Sequence, residues 1–452
     1  MGFQMEKSMS SSFPYLLTCL LAGVLFIVLL TAIFRAPAFF ALIAASLLVG
    51  LAAGIPFADI LSGIKEGFGN IMKSLGLLIV MGTVLGAILE KNGSIAVIAE
   101  FILGRLGDRF IPLSMNIIGF FVGLPVFCDS GFIILSSLNN TVSRRALISP
   151  LVTSVSLASG LLAIHCLVPP HPGASAVATL LNVDFGRLLL WGLLVAIPAS
   201  LAGYGWAINA GKKIPFEFPP GESPKPGAGW KPNLWVAILP IAIPVLLMAS
   251  RSITQWEYCS ANWFGNLVYY CGEPVIALAI GALIAIAGWR KKKKRELTTL
   301  LGEGAEKAGG ILVIIGAGGS FGAIMTAMHF GDHLGKTLSI GGMGLLLPFL
   351  ATSILKTAQG SSTVAIISSG ALIKPLLPLL GLASENGHLL CLLAMGAGSM
   401  MVSHANDAYF WVISRFSGLQ PGPMFRVYTL ATLFMGLTGF AIVFVLSLFL
   451  PH

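Results

Sequence analysis

Two carboxylates, Asp129 and Asp407, stand inside strongly apolar stretches of this 452-residue chain, each beside helix-breaking or hydrogen-bonding neighbours. An ionisable group at membrane depth is costly, and its presence there points to function. Asp129 lies in Gly123-Leu124-Pro125-Val126-Phe127-Cys128-Asp129-Ser130-Gly131-Phe132, where Pro125 and the glycines argue against a continuous helix. A break inside a membrane leaves backbone N–H and C=O groups that lipid cannot satisfy, so it survives only against protein or a water-filled cavity. N–H groups at the start of a half-helix then favour an anion. A carboxylate in a partly dry cavity holds its proton to higher pH, and histidine titrates near neutrality. Asp129, Asp407, His165 and His404 are therefore candidate proton carriers. The structural alternatives are a hairpin turn capped by Asp129 and Ser130, and histidines satisfied at helix ends.

The surroundings of Asp129 have a counterpart downstream, Lys356-Thr357-Ala358-Gln359-Gly360-Ser361-Ser362-Thr363. Its hydroxyls and amide can hold both carboxylate and sugar-type hydroxyl groups. Lys356 could pair with a carboxylate or carry its ammonium to a helix end, and the latter is the expectation. A further pair joins His171-Pro172-Gly173-Ala174-Ser175 to His404-Ala405-Asn406-Asp407-Ala408. Spacing is nearly constant, with 234 residues from Gly82 to Gly316 and 233 from His171 to His404. Two related halves are expected, in an inverted arrangement, with broken helices or re-entrant hairpins and a site where they meet. Candidate solute contacts are Asp129, Ser130, Gly131, His171, Gln359, Gly360, Ser361, Ser362, Thr363 and Asn406.

The elements that must position these residues are membrane helices. Hydrophobic residues make up 56% of the chain and charged ones only 10%, against about 25% charged in soluble proteins, and mean hydropathy is +0.90. Apolar runs fall near 14–34, 37–54, 74–90, 112–138, 147–168, 186–208, 233–250, 274–289, 307–328, 343–380, 388–414 and 425–450. These runs predict an all-α polytopic membrane protein. The first run, Tyr15 to Phe34, is expected to stay as an anchor. The Pro/Gly-rich stretch Gly211 to Pro232 reads as a cytoplasmic linker between an N-terminal repeat, 1–210, and a C-terminal repeat, 233–452. Its lysines and the cluster Arg290-Lys291-Lys292-Lys293-Lys294-Arg295 mark the cytoplasmic side. Tracing back places the N-terminus outside, although Lys65 and Lys73 argue the other way.

Other chemistries are poorly supported. The net charge of +9 reads as an orientation signal, and no nucleic-acid groove is expected. His329, Asp332 and His333 resemble a metal set by type only, and no metal or cofactor is expected. Zinc-protease, nucleophile-elbow and phosphate-loop signatures are lacking. A disulfide between Cys259 and Cys271 is an option if their loop lies outside.

Four strings carry a family resemblance: Gly-Leu-Pro-Val-Phe-Cys-Asp-Ser-Gly-Phe (123–132), His-Cys-Leu-Val-Pro-Pro-His-Pro-Gly (165–173), Ala-Gln-Gly-Ser-Ser-Thr-Val-Ala (358–365) and Ser-His-Ala-Asn-Asp-Ala-Tyr-Phe-Trp (403–411). In these, and along nearly its whole length, the chain resembles the gluconate permease family of proton symporters. The resemblance implies uptake of sugar acids such as gluconate across a bacterial inner membrane, in the inverted-repeat architecture of the ion-transporter superfamily. The gluconate members carry Phe-Glu-Val where this chain has Cys128-Asp129-Ser130, so a related aldonate or shorter hydroxy acid is an alternative solute.

The expectation is thus a multi-pass symporter of the inner membrane that imports a small hydroxylated carboxylate with protons. Sodium as the coupling ion, and a passive carrier or channel, are the alternatives, and an intramembrane enzyme is disfavoured. The expected partners are the small organic anion, the lipid bilayer and, as an option, a second copy in a homodimer.

Overall fold

The computed structural model describes residues 13–30, 34, 36–214, 232–254, 263–289, 294–328, 344–405 and 407–450. Asn406, Cys259, the 329–333 set, most of the linker and Arg290 to Lys293 lie outside the described residues. The described chain is α-helical, with no strand. Six of its helices are long and apolar enough to cross a membrane, or seven if a pair bent by 78° before Pro274 counts as one span.

The first half contributes α1 (Phe13–Val28), α2 (Ala38–Ala52), α3 (Phe57–Lys91), α4 (Ser94–Leu106), α5 (Ile111–Gly123), α6 (Cys128–Arg145), α7 (Pro150–Leu167), α8 (Pro172–Leu180) and α9 (Phe185–Gly211). The second contributes α10 (Leu234–Thr254), α11 (Trp263–Cys271), α12 (Pro274–Gly288), α13 (Lys294–Ala327), α14 (Leu346–Gln359), α15 (Ser362–Ile373), α16 (Glu385–Gly398) and α17 (Ala408–Ser417). Then α18 (Pro421–Ser447) runs unbroken through a π-helical turn at Phe425–Thr429.

Two expected runs divide at breaks the sequence implied, and three others differ from expectation. The 112–138 run is two helices, α5 and α6, because Pro125 cannot donate to a helix and the chain turns there. The 343–380 run divides at Gly360, and the 388–414 run divides between Gly398 and Ala408. The 74–90 and 307–328 runs belong to far longer helices, α3 with 35 residues and α13 with 34. At 1.5 Å per residue these reach about 50 Å, well beyond a hydrocarbon core of about 30 Å. Lys65, Glu66, Glu303 and Glu306 lower the hydropathy of their outer turns, which hid the true starts.

The helices pack in two groups, joined to each other where α15 lies on α13 and α9 on α10. In one, α3 and α13 run antiparallel, with Gly67 against Gly319, Thr83 Oγ1 donating to Gly304 O at 2.9 Å and Ser320 Oγ to Ile64 O at 2.9 Å. Bare glycines at 67 and 319 let these two backbones touch. Helices α2 and α12 flank this pair, and α10 packs on α12. In the other body, α7 packs on α5, α6 and α9, α16 packs on α14 and α18, and α9 lies against α18. The sequence halves interlock within it: α8 of the first packs on α15 of the second, and α17 of the second on α6 of the first. Asn116 Nδ2 ties α5 to α7 and α9 by donating to Ser156 O at 3.1 Å and Ser200 O at 3.3 Å.

Candidate functional site

The four short helices that follow chain breaks, α6, α8, α15 and α17, begin at one place. Their first residues, Cys128 to Ser130, Pro172, Ser362 to Val364, and Ala408 with Tyr409, line a single cavity of about 470 Å³. A helix N-terminus carries about half a positive charge, concentrated on N–H groups that lack intrahelical partners. The starts of α15 and α17 are capped by their own side chains: Ser361 Oγ accepts from Val364 N at 3.3 Å, and Asp407 Oδ1 from Tyr409 N at 2.9 Å. The starts of α6 and α8 have no side-chain cap. One open helix end, that of α6, and two capped ones thus face one space, an arrangement that favours an anion, while Pro172 at the start of α8 adds wall without an N–H.

Local sequence sets each break. Gly360 adopts φ +78°, a left-handed conformation that glycine takes without steric cost, and the chain restarts as α15 one residue after Ser361. At the first break the chain passes Pro125, whose carbonyl sits so close to Gly86 of α3 that a Cβ there would lie 2.9 Å from it. Each break is pinned by a histidine from a later loop. His171 Nε2 donates to Gly123 O at 2.7 Å, and His404 Nε2 donates to Thr357 O at 3.0 Å. These bonds add partners to carbonyls near the end of a broken helix, where intrahelical donors run out and water is scarce.

The structure therefore sorts the sequence candidates. Asp129, Ser130, His165, Gln359, Gly360, Ser361, Ser362, Thr363 and Asp407 line the cavity. His171 and His404 do not, since both are spent on carbonyls. Gly131 is turned toward Leu161 of α7, and its N–H is bonded to Phe127 O at 2.8 Å. His165 approaches Thr363 Oγ1 at 3.4 Å, and its ring lies 5.0 Å from that of His171. Gln359 lines the cavity with both side-chain polar atoms buried and without a partner among the described residues. Such an amide is ready to donate to and accept from a solute hydroxyl.

Lys356 corrects an expectation. Its ammonium does not reach a helix end in water; the side chain is 1% exposed. It donates to Asp407 Oδ2 at 2.7 Å and to Gly360 O at 2.8 Å, and Ser403 Oγ donates to the same carboxylate oxygen. Asp407 is thus bonded by Lys356, Ser403 and the Tyr409 amide.

Lys307 is the residue that sequence reasoning missed. It projects from α13 into the cavity and donates to Ser130 Oγ at 2.9 Å. With Ile311 and Ile314 it is the part of the wall supplied by the α3–α13 body, while the breaks supply the rest. In the sequence Lys307 marks only the outer end of the 307–328 apolar run. Its position nine residues before Gly316, matching Lys73 nine before Gly82, was the available signal. Lys307 also borders a second cavity of about 510 Å³ with Glu90, Lys91, Glu303 and Glu306. Among the described residues no group of three His, Cys, Asp or Glu is placed to hold a metal.

This geometry meets its relatives here: the model of the GntP family permeases matches residues 15–449. The chain belongs to the GntP permease family. This permease is 30% identical over 448 residues to the gluconate permease of Pseudomonas aeruginosa, covering 96% of this chain and 98% of that protein. It is also 30% identical over 445 residues to the D-serine transporter DsdX of Escherichia coli K12, with the same coverage. Among solved structures, the YdaH transporter of Alcanivorax borkumensis shares the fold, with a TM-score of 0.59 at 16% identity over 84% of this chain and 87% of that one. The permease is a multi-pass inner-membrane transport protein, not an enzyme.

Proposed function

We propose that this permease imports a small hydroxylated carboxylate, of the sugar-acid class named in its relatives, in symport with protons. One observation carries the reading: four half-helix starts and Lys307 converge on a cavity that also holds the unpartnered amide of Gln359. The carboxylate would take the open N–H groups at the start of α6 and the Lys307 ammonium. Hydroxyls along the solute would meet Gln359, Ser362 and Thr363. A cavity of about 470 Å³ suits a molecule of this size.

Asp129 is the proton carrier in this reading. It faces the cavity, whereas Asp407 is held by an ammonium, a hydroxyl and an amide. His165, lining the cavity beside Thr363, is the second candidate. The second cavity leads from Lys307 toward the end of α3 and the start of α13, where Lys91 lies 3.9 Å from Glu296 and Lys294 and Arg295 of the basic cluster stand. The positive-inside rule makes that end cytoplasmic, so this conformation opens inward. Alternating access would follow from movement of the break-bearing body against α3 and α13. The halves are inverted in this reading, a relation supported by the antiparallel pairing of their equivalent helices α3 and α13.

The test is uptake by purified protein in sealed vesicles, over gluconate, glycerate and other hydroxy acids, with D-serine as the zwitterionic comparison. Accumulation that collapses with the proton gradient supports the proposal. Accumulation that follows a sodium gradient refutes proton coupling, and flux without accumulation refutes symport. Preference for D-serine over every hydroxy acid would replace the solute class.

A further inference from the structure

Lys356 and Asp407 are the only Lys, Arg, Asp or Glu side chains buried among the described residues. The ammonium rests on an oxygen shell of a particular kind: the Gly360 carbonyl at the C-terminal end of the half-helix α14, and an Asp407 carboxylate oxygen that also accepts from Ser403 Oγ. Carbonyls at half-helix C-termini carry partial negative charge, and with carboxylate they are the ligands that transporters offer to small cations at the membrane midplane. The corresponding positions of the first half, Val122 and Ala174, are apolar, so the feature is built into one half only.

We propose that Gly360 O, Asp407 and Ser403 form a monovalent-cation site that the chain fills with its own ammonium. Lys356 then supplies permanently the charge that a sodium-coupled carrier takes from solution. The proposal rests on the transport reading for its meaning but not for its test. Its consequence is electrostatic: with Lys356 in place Asp407 is neutralised, and the helix starts around it keep their attraction for an anion. Removing the ammonium leaves an uncompensated carboxylate on the cavity wall and a vacant oxygen shell. A free cation small enough to enter should then bind there.

The experiment is thermal unfolding of the full-length protein in detergent, in choline chloride against sodium, ammonium or methylammonium chloride at equal ionic strength. For the native protein the midpoints should agree. For Lys356→Ala the midpoint in choline should fall by several degrees and recover, saturably, with sodium or methylammonium, since binding to the folded state stabilises by mass action. If the variant yields no folded protein in choline, its folded yield should rise when sodium or methylammonium is present from solubilisation onward. The variant carrying both Lys356→Met and Asp407→Asn should respond to none of these cations. A Lys356→Ala protein indifferent to cation identity in midpoint and yield, or a double variant responding as the single one does, overturns the proposal. No solute is needed, so a failed uptake screen leaves this result intact.

Discussion

Lys356 Nζ lies 2.7 Å from Asp407 Oδ2, with the two side chains 1% and 8% exposed. The pair joins the end of α14 to the start of α17, two of the four breaks around the cavity. Removing one partner strands a buried charge, which costs about 3–5 kcal/mol, whereas removing both costs far less. Chemical or thermal unfolding of Asp407→Asn, Lys356→Met and the double variant should therefore show the double variant more stable than the sum of its parts. Additive losses would mean that the two groups do not act as a pair.

Lys307 is exposed to the cavity and bonded to Ser130, so its loss should spare the fold. A charge-assisted hydrogen bond to a solute carboxylate contributes about 1.5–3 kcal/mol. Lys307→Gln should thus raise the half-saturating solute concentration by about tenfold to a hundredfold, with an unchanged melting midpoint. Lys307→Arg should recover part of the loss. Initial uptake rates against concentration provide the measurement.

Asp129→Asn keeps the size of the side chain and removes its capacity to release a proton. Uphill accumulation should disappear while exchange of internal for external labelled solute persists. A variant that still accumulates solute against a gradient would remove Asp129 from the coupling role and leave His165 as the candidate.

The histidine pins should behave alike because they do the same work at equivalent places, Gly123 O and Thr357 O. Leaving a buried carbonyl unsatisfied costs about 1–3 kcal/mol. His171→Ala and His404→Ala should each lower the unfolding midpoint by several degrees, with uptake falling in proportion to folded protein. A loss of proton coupling in well-folded His404→Ala would instead support a relay role.

Gln359 offers a donor and an acceptor with no partner among the described residues. Gln359→Leu should weaken transport of polyhydroxylated acids by about tenfold, from one lost hydrogen bond, and leave an unhydroxylated short acid nearly unaffected. Competition between the two solutes in one assay would read this directly.

Much of this was legible in the residues. Composition identified the membrane as the solvent, and the interruptions at Pro125 and Gly360 gave away the breaks, because proline lacks a donor and glycine alone adopts φ +78° cheaply. The offset between landmarks paired His171 with His404, and in the structure each bonds a carbonyl at a break. His404, by contrast, suggested proton relay and His171 a solute contact, and only their surroundings revealed both as partners of carbonyls at the breaks. Lys356 went astray for a similar reason, since a lysine in an apolar run usually extends to water and nothing local announces a carboxylate 51 residues away.

The order of apolar and polar residues by itself determined that this chain spans a membrane, that its helices break, and which residue types sit at the breaks, because those properties follow from local backbone chemistry and the cost of burying polar groups. Tertiary structure alone decided which break ends meet, that Lys307 arrives from a separate body, and that Asp407 is held by an ammonium. Such contacts depend on how distant helices cross, and that geometry is fixed by packing among residues far apart in the chain.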